Sequence, residues 1–316
     1  MLDRFRDGLL FYYFGHVDQV SHAYGEKRVL DNVRLAARRG DRIAIVGLNG
    51  AGKTTTVEIL EGYRHRDGGE VAVLGQDPAT AGRAWRSRLG IVLQTSAEAA
   101  ELTVEEMVRH FARYYPAPRD PDQVIDAVGL QERRTARLRA LSGGQRRRLD
   151  VALGIVGRPR LVVLDEPTTG LDVQARDALW AALRSYRASG GTLLITSHYL
   201  AEIEALCSRV VVIDQGRVIA DGTVEEIRGQ VSLSRVTVRT SASREVLDGL
   251  PGVVSTTRDV ENPERWTVHT RSSDALVRAL VESTAFEDLE VHRASLEEAF
   301  VALTSTTDRR SERSRR

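Results

Sequence analysis

Two stretches of this sequence carry the residue types that bind phosphate. The first, GLNGAGKTT at Gly47–Thr55, sets glycines around a lysine and a run of threonines. Glycine admits positive φ and lets backbone approach a ligand closely. The N–H groups of such a loop, with the start of the helix that follows, wrap phosphate oxygens. On this pattern Gly47, Leu48, Asn49, Gly50, Ala51, Gly52, Lys53, Thr54 and Thr55 form a nucleotide-binding loop. Lys53 would reach the β- and γ-phosphates of ATP, and the Thr54 hydroxyl would bind Mg²⁺. The second stretch, LSGGQRRRLD at Leu141–Asp150, opens a helix with a serine and a glycine pair, again the makings of an anion site. The loop at Gly47 already serves one triphosphate, so the second site raises the question of whose phosphate it holds.

Further chemistry gathers at strand ends. RLVVLDEP finishes an apolar run with Asp165 and Glu166. Asp165 is placed to hold Mg²⁺, directly or through water, and Glu166 to orient and deprotonate an attacking water. Acidic residues at a strand end are often simple caps; the loop at Gly47 favours the catalytic reading. Gln94 follows GIVL and can touch Mg²⁺ or water through its amide oxygen. His198 follows LLITS, where an imidazole can contact a γ-phosphate or serve structure alone. Tyr24, beside Gly25, can stack on adenine or belong to the core. Of 45 basic residues only Lys27 and Lys53 are lysine. A lysine kept in the phosphate loop fits a site that needs a compact point charge.

These residues need strands and helices to hold them. Val17–Tyr24 and Val29–Ala36 read as strands joined through Gly25. DRIAIVG from Asp41 reads as a buried strand running into the glycine loop, with a helix from Lys53 to about Tyr63 behind it. EVAVLG and LGIVLQ read as further short strands. Between Thr103 and Ala140 the pattern turns helical: Thr103 and Glu106 form a capping box, and Pro116 and Pro118 stop the first helix. DQVIDAVGL is a second helix ending near Gly129. RLVVLDEP and GTLLITSH are unbroken apolar strands of the parallel-sheet kind, separated by a crossover helix from about Gln174 to Ser189. RVVVIDQGRVIADG reads as a hairpin.

Past Glu225 a second pattern begins. Strand 233–239, helix 243–250, strands 253–260 and 265–270, helix 273–284 and strand 289–293 spell a split βαβ, followed by a helix at 295–303. The expected organisation is an N-terminal extension at 1–15, a nucleotide-binding domain at 16–228, a small α+β ferredoxin-like domain at 229–304 and a disordered basic tail at 305–316.

Composition narrows the function classes. A length of 316 residues suffices for two domains, and 42% hydrophobic with 28% charged residues is globular usage. A net charge of +1 argues against a chain-wide field for nucleic acid or membrane. Cys207 is the single cysteine, so no internal disulfide is possible and a reducing compartment fits. No apolar run approaches the ~18 residues of a spanning helix, and the start, MLDRFRDGLLFYYFGH, lacks a small-residue cleavage site and does not read as a signal peptide.

GLNGAGKTT, LSGGQ, VVLDEPTTGLD and ITSH, in this order and spacing, resemble the ATP-binding subunits of ABC transporters over residues 16–226. The resemblance implies an α/β ATPase fold with a mixed sheet core, an antiparallel β subdomain and a helical subdomain. It also implies a head-to-tail homodimer in which Ser142, Gly143, Gly144 and Gln145 grip the ATP bound at the partner's loop, with Asp172 at the same interface. That would answer whose phosphate the second site holds. LTVEEMVRHFARYY, SHYLAEIEALCSRVVVIDQGRVIADG and RASLEEAFVALT are similar to the daunorubicin-resistance type of drug-export ATPase. Such chains serve a separate transmembrane permease from the cytoplasmic side of the membrane, with no nucleic-acid partner. Leu48, where proline is common, and the N-terminal extension depart from the pattern. A soluble relative acting on ribosomes or DNA is the alternative; the second phosphate loop or the long coiled-coil insertion of those relatives is not in this sequence.

Overall fold

The computed structural model describes residues 13–92, 101–168, 170–188, 190–197, 199–230, 234–259, 261–283, 285–293 and 295–304. The chain divides into two compact units, Met1–Asp221 and Gly222–Arg316.

The first unit begins with strands β1 (Tyr13–Tyr24), β2 (Lys27–Arg38) and β3 (Arg42–Val46), then helix α1 (Lys53–Glu61), β4 (Gly68–Val73), α2 (Arg83–Arg86) and β5 (Leu89–Val92). Helices α3 (Val104–Ala112), α4 (Pro121–Ala127) and α5 (Gly143–Val156) pack on one another. The chain continues through β6 (Leu161–Asp165), α6 (Val173–Ala188), β7 (Thr192–Thr196), α7 (Leu200–Leu206), β8 (Arg209–Asp214) and β9 (Arg217–Thr223).

Two sheets result. One is antiparallel, in the order β2-β1-β4, and takes in Tyr13 to Gly15 of the expected N-terminal extension. The other has six strands, in the order β5-β6-β7-β3-β8-β9, with β5 through β8 mutually parallel. The sequence explains the difference. RIAIV of β3 and TLLIT of β7 are buried at nearly every position, because parallel strands are covered on both faces. β2 instead alternates buried and open positions along much of its length, as a strand with one face on the core must. Val17, Leu30, Val33, Ile43, Ile45, Val57, Trp85 and Val211 join both sheets and α1 into one core. The Trp85 indole N–H is satisfied inside it by the Val73 carbonyl at 2.7 Å.

Local signals set the element ends. The Thr103 side chain accepts from the Glu106 N–H while the Glu106 carboxylate accepts from the Thr103 N–H, the reciprocal capping box expected at α3. β8 and β9 are neighbours joined by Gln215 and Gly216, both at positive φ, as a two-residue hairpin turn demands.

The second unit opens with α8 (Val224–Gln230) and then runs β10 (Ser234–Arg239), α9 (Arg244–Asp248), β11 (Val253–Arg258), β12 (Arg265–Thr270), α10 (Ser273–Ser283) and β13 (Glu287–Arg293). A last helix, α11 (296–304), follows. Its sheet is antiparallel in the order β11-β12-β10-β13, the arrangement of a split βαβ. Val236, Val238, Leu247, Trp266, Val268, Leu276 and Leu280 form its own core.

Candidate functional site

The carboxyl ends of β3, β6 and β7 lie side by side, since Ile45 pairs in register with Thr196 and Thr196 with Asp165. In an open parallel sheet this is the edge where ligands bind. The chain leaves β3 at Val46, crosses the glycine loop and enters α1 at Lys53. Gly52, the N-cap of α1, has φ 107° and could not be replaced by an L-residue: a Cβ there would meet Leu30 Cδ2 at 2.6 Å and the Val29 carbonyl at 3.0 Å. The start of α1 has neither a side-chain cap nor an acidic residue in its first turn, unlike α3. Its positive end is left for an external anion.

Lys53 is buried. Its Nζ donates to the carbonyls of Gly47 at 2.9 Å and Leu48 at 3.2 Å, which leaves one of its three N–H donors for a phosphate oxygen. Burial pulls the Lys53 ammonium below the usual lysine range, and the charges of Glu166 and Asp165 pull it back up. Thr54 is exposed at the mouth of the loop, while Thr55 and Thr56 turn inward.

Asp165 and Glu166 are held from two sides. From β7, the Thr196 hydroxyl donates to Asp165 Oδ1. The Glu166 N–H is shared between the Thr196 carbonyl at 3.0 Å and its hydroxyl oxygen at 3.2 Å. From α5, the buried Arg147 guanidinium donates to three successive carbonyls, Asp165 at 2.6 Å, Glu166 at 3.2 Å and Pro167 at 3.0 Å. Glu166 itself has φ 46°, a left-handed conformation uncommon for glutamate, which persists where surrounding bonds over-determine the backbone.

Tyr24 ends β1 beside the loop and is 44% exposed, so the choice between adenine platform and core falls against the core. Its hydroxyl lies 3.4 Å from Thr55 Oγ1, and the Arg64 guanidinium stacks on its ring at 4.7 Å. Arg64 is fixed in turn by Glu58 at 2.6 Å.

At the second anion-type site, Ser142 caps α5 reciprocally with Gln145: its Oγ accepts from the Gln145 N–H at 3.3 Å, and Gln145 Oε1 accepts from the Ser142 N–H at 3.0 Å. The cap uses the serine oxygen as acceptor, so its O–H proton remains to donate. Ser142 and Gly143 are exposed. Gly144 has a packing reason as well, because a Cβ there would meet Ala175 Cβ of α6 at 2.9 Å. Asp172 accepts from the Ala175 N–H at 2.7 Å and so caps α6 from an exposed position. Gln94 and His198, expected at this edge, lie outside the described residues. The spacing of motifs did not point to Arg147, Thr196 or Arg64. For Arg147 a signal existed: it shares a helical stripe with Val151 and Ile155, which marks it as inward-facing.

Comparison with known proteins agrees with this geometry. Residues 30–169 match the family model described as ABC transporter. A daunorubicin resistance ATP-binding protein, DrrA3 of Streptomyces coeruleorubidus, is 35% identical over 93% of this chain and 96% of its own length. The chain belongs to the ABC transporter family.

It is accordingly an ATP-binding protein and an ATPase. Nod factor export ATP-binding protein I of Ralstonia nicotianae is 42% identical over 67% of each chain. Among solved structures, an ATP-binding subunit of an ABC transporter superposes with a TM-score of 0.63 at 30% identity, covering 69% of this chain and 92% of that one. In this ABC ATPase the open start of α1, the spare Lys53 donor and the glycine cradle fit a triphosphate. Among the described residues no cluster of His, Cys, Asp and Glu forms a metal cage. The oxygen donors at this edge, Thr54 and Asp165, fit Mg²⁺ that keeps waters and phosphate oxygens as its other ligands.

Proposed function

We propose that this ABC ATPase is the energy-supplying subunit of an exporter, that it works as a pair of identical chains, and that it drives a separate membrane permease. The observation that carries the reading is the presence of two glycine-bearing helix starts in one chain, α1 without a side-chain cap and α5 with the exposed Ser142 and Gly143 at its tip. A single triphosphate at Lys53 uses the first. In a head-to-tail pair, Ser142, Gly143, Gly144 and Gln145 would complete the partner's nucleotide site, with Asp172 beside them. Export is supported by relatives named for daunorubicin resistance and Nod factor export, and the cargo is read here as a drug- or lipid-like molecule. Among the described residues no helix is long and apolar enough to cross a membrane. The chain would act at the cytoplasmic face, docked on the permease through its helical subdomain, with Gln94 linking that contact to the site.

In this mechanism Lys53 and the loop N–H groups fix the β- and γ-phosphates, and Tyr24 stacks on adenine. Thr54, Asp165 and Gln94 would hold Mg²⁺, which when bound neutralises charge between the β- and γ-phosphates. Glu166 accepts a proton from the water that attacks the γ-phosphorus in line, and no phosphoenzyme forms. His198 contacts the γ-phosphate. Catalysis is positioning and charge stabilisation. The second unit is read as an accessory domain that stabilises the pair or regulates turnover.

The test is Glu166→Gln with ATP and Mg²⁺. Expected is retained ATP binding, hydrolysis reduced at least 100-fold, a trapped dimer, and co-purification of a multi-spanning membrane protein from detergent-solubilised native membranes. Wild-type turnover would remove Glu166 as the base. Ribosomal or DNA-bound partners without a permease would overturn the exporter reading.

A further inference from the structure

Glu202, on α7, takes no part in the mechanism above, yet it is 2% exposed. Glutamate is almost never buried so deeply without partners. Its Oε2 accepts from the Thr168 hydroxyl at 2.8 Å and from the Ser197 hydroxyl at 2.8 Å. Both hydroxyls are themselves buried. Thr168 lies two residues past Glu166, on the segment whose carbonyls Arg147 holds. Ser197 lies between Thr196, which grips Asp165, and His198. The Ser197 oxygen also accepts from the Tyr199 N–H at 3.0 Å.

Burial pushes the Glu202 carboxyl up, while the Ser197 and Thr168 hydroxyls, the Trp180 indole and the Arg176 guanidinium oppose that rise. A buried carboxylate is costly compared with an apolar side chain of similar size, so fold stability alone gives no reason for it. What it supplies is a second tie, beyond that of Thr196, between the two strand-end segments: one carboxylate oxygen that accepts from Thr168 and Ser197. Both bonds fall on Oε2, while Oε1 is buried without a hydrogen-bond partner among the described residues, and truncating a member of the network leaves the rest unpaired.

We propose that Glu202 is a positioning residue for ATP hydrolysis. It fastens the end of β7 at Ser197 to the segment that follows Glu166, so that the group activating water keeps its place at this edge of the sheet. Displacement by about 1 Å at such a site costs on the order of 100-fold in rate, and an anchor remote from the nucleotide acts on turnover without acting on binding. The inference rests on the role given to Glu166.

The test uses the full chain with ATP and Mg²⁺, and compares Glu202→Ala, Glu202→Gln, Thr168→Val and Ser197→Ala. Turnover, KM, affinity for a non-hydrolysable ATP analogue and thermal midpoint are measured for each. Expected for Glu202→Ala is a fall in kcat of roughly 10- to 100-fold with KM and analogue affinity within about 3-fold of wild type. Glu202→Gln should regain most of the turnover, because its amide oxygen can accept from both hydroxyls. Thr168→Val and Ser197→Ala are small changes that leave folding intact; each should lose several-fold in kcat, and their effects should be non-additive. Wild-type kcat in Glu202→Ala, or full turnover in both hydroxyl variants, would overturn the proposal. So would losses in kcat that only track the folded fraction. If Glu166→Gln is inactive while the Glu202 set is unaffected, this inference alone falls; if Glu166→Gln turns over normally, the reading of the site falls with it.

Discussion

Glu61 closes α1 from inside the core, where the helix C-terminus already carries partial negative charge. Burial first, then the charges of Asp165 and Glu58, push its carboxyl up to about 8 from 4.5. In the unfolded chain Glu61 loses its proton near pH 4.5, whereas in the folded protein it keeps it to about pH 8. Between those limits the native state holds the extra proton, so stability falls as pH rises. Glu61→Gln is isosteric and removes the titration. Each pKa unit is about 1.36 kcal/mol, so from pH 5.5 to 7.5 the wild type should lose roughly 2–3 kcal/mol relative to the variant. The assay is denaturant unfolding at four pH values in a Trp266→Phe background, where the remaining tryptophans, Trp85 and Trp180, report the first unit alone. The stability gap should widen with pH and level off above about pH 8. A gap of constant size across that range would refute the reasoning.

Thr196→Val keeps the shape of a fully buried residue but removes the donor to Asp165. It should cost about 1–2 kcal/mol in unfolding free energy and lower kcat about tenfold, read by calorimetry and ATPase assay. Arg147→Met strands the carbonyls of Asp165, Glu166 and Pro167; a loss of about 3 kcal/mol or more in denaturant unfolding is expected. Tyr24→Ala should raise the KM for ATP by roughly tenfold or more with little change in kcat, since base stacking on an aromatic ring is worth about 1–3 kcal/mol, whereas Tyr24→Phe should stay near wild type. Gly15→Ala places a methyl in ordinary contact with Ala37 Cβ at 3.7 Å, beside a cavity of about 30 Å³ lined by Val17, Leu35, Ile43 and Leu60. It should add about 0.5–1 kcal/mol, seen as a higher thermal midpoint.

Parts of this molecule are local enough to read in sequence. The run RIAIV followed by glycines and Lys53 is a strand, a loop and a helix start because each piece needs only its neighbours. The capping pairs Thr103–Glu106 and Ser142–Gln145 are set by a three-residue spacing. The strand and helix order of the second unit followed in the same way from alternating period. Residues whose roles depend on distant partners were not visible. For Arg147, in a row of three arginines, the helical stripe marks an inward-facing position, but its partners, the carbonyls of 165–167, come only from the packing of α5. Glu202, in the stretch AEIEAL, looks like a solvated helix residue until α7 turns it toward Thr168 and Ser197. The left-handed φ of Glu166 has no signal in residue type at all.

The helix α5 joins two places at once. Its first turn offers Ser142 outward, and one turn further along Arg147 grasps the backbone that bears Asp165 and Glu166. In the proposed pair, Ser142 would touch the nucleotide of the opposite chain while Arg147 holds the carboxylates serving its own. A shift at one end of a short rigid rod is a shift at the other. Neither ATP could then be hydrolysed without the other half of the pair registering it, and the rate would rise with ATP concentration more steeply than for two independent sites.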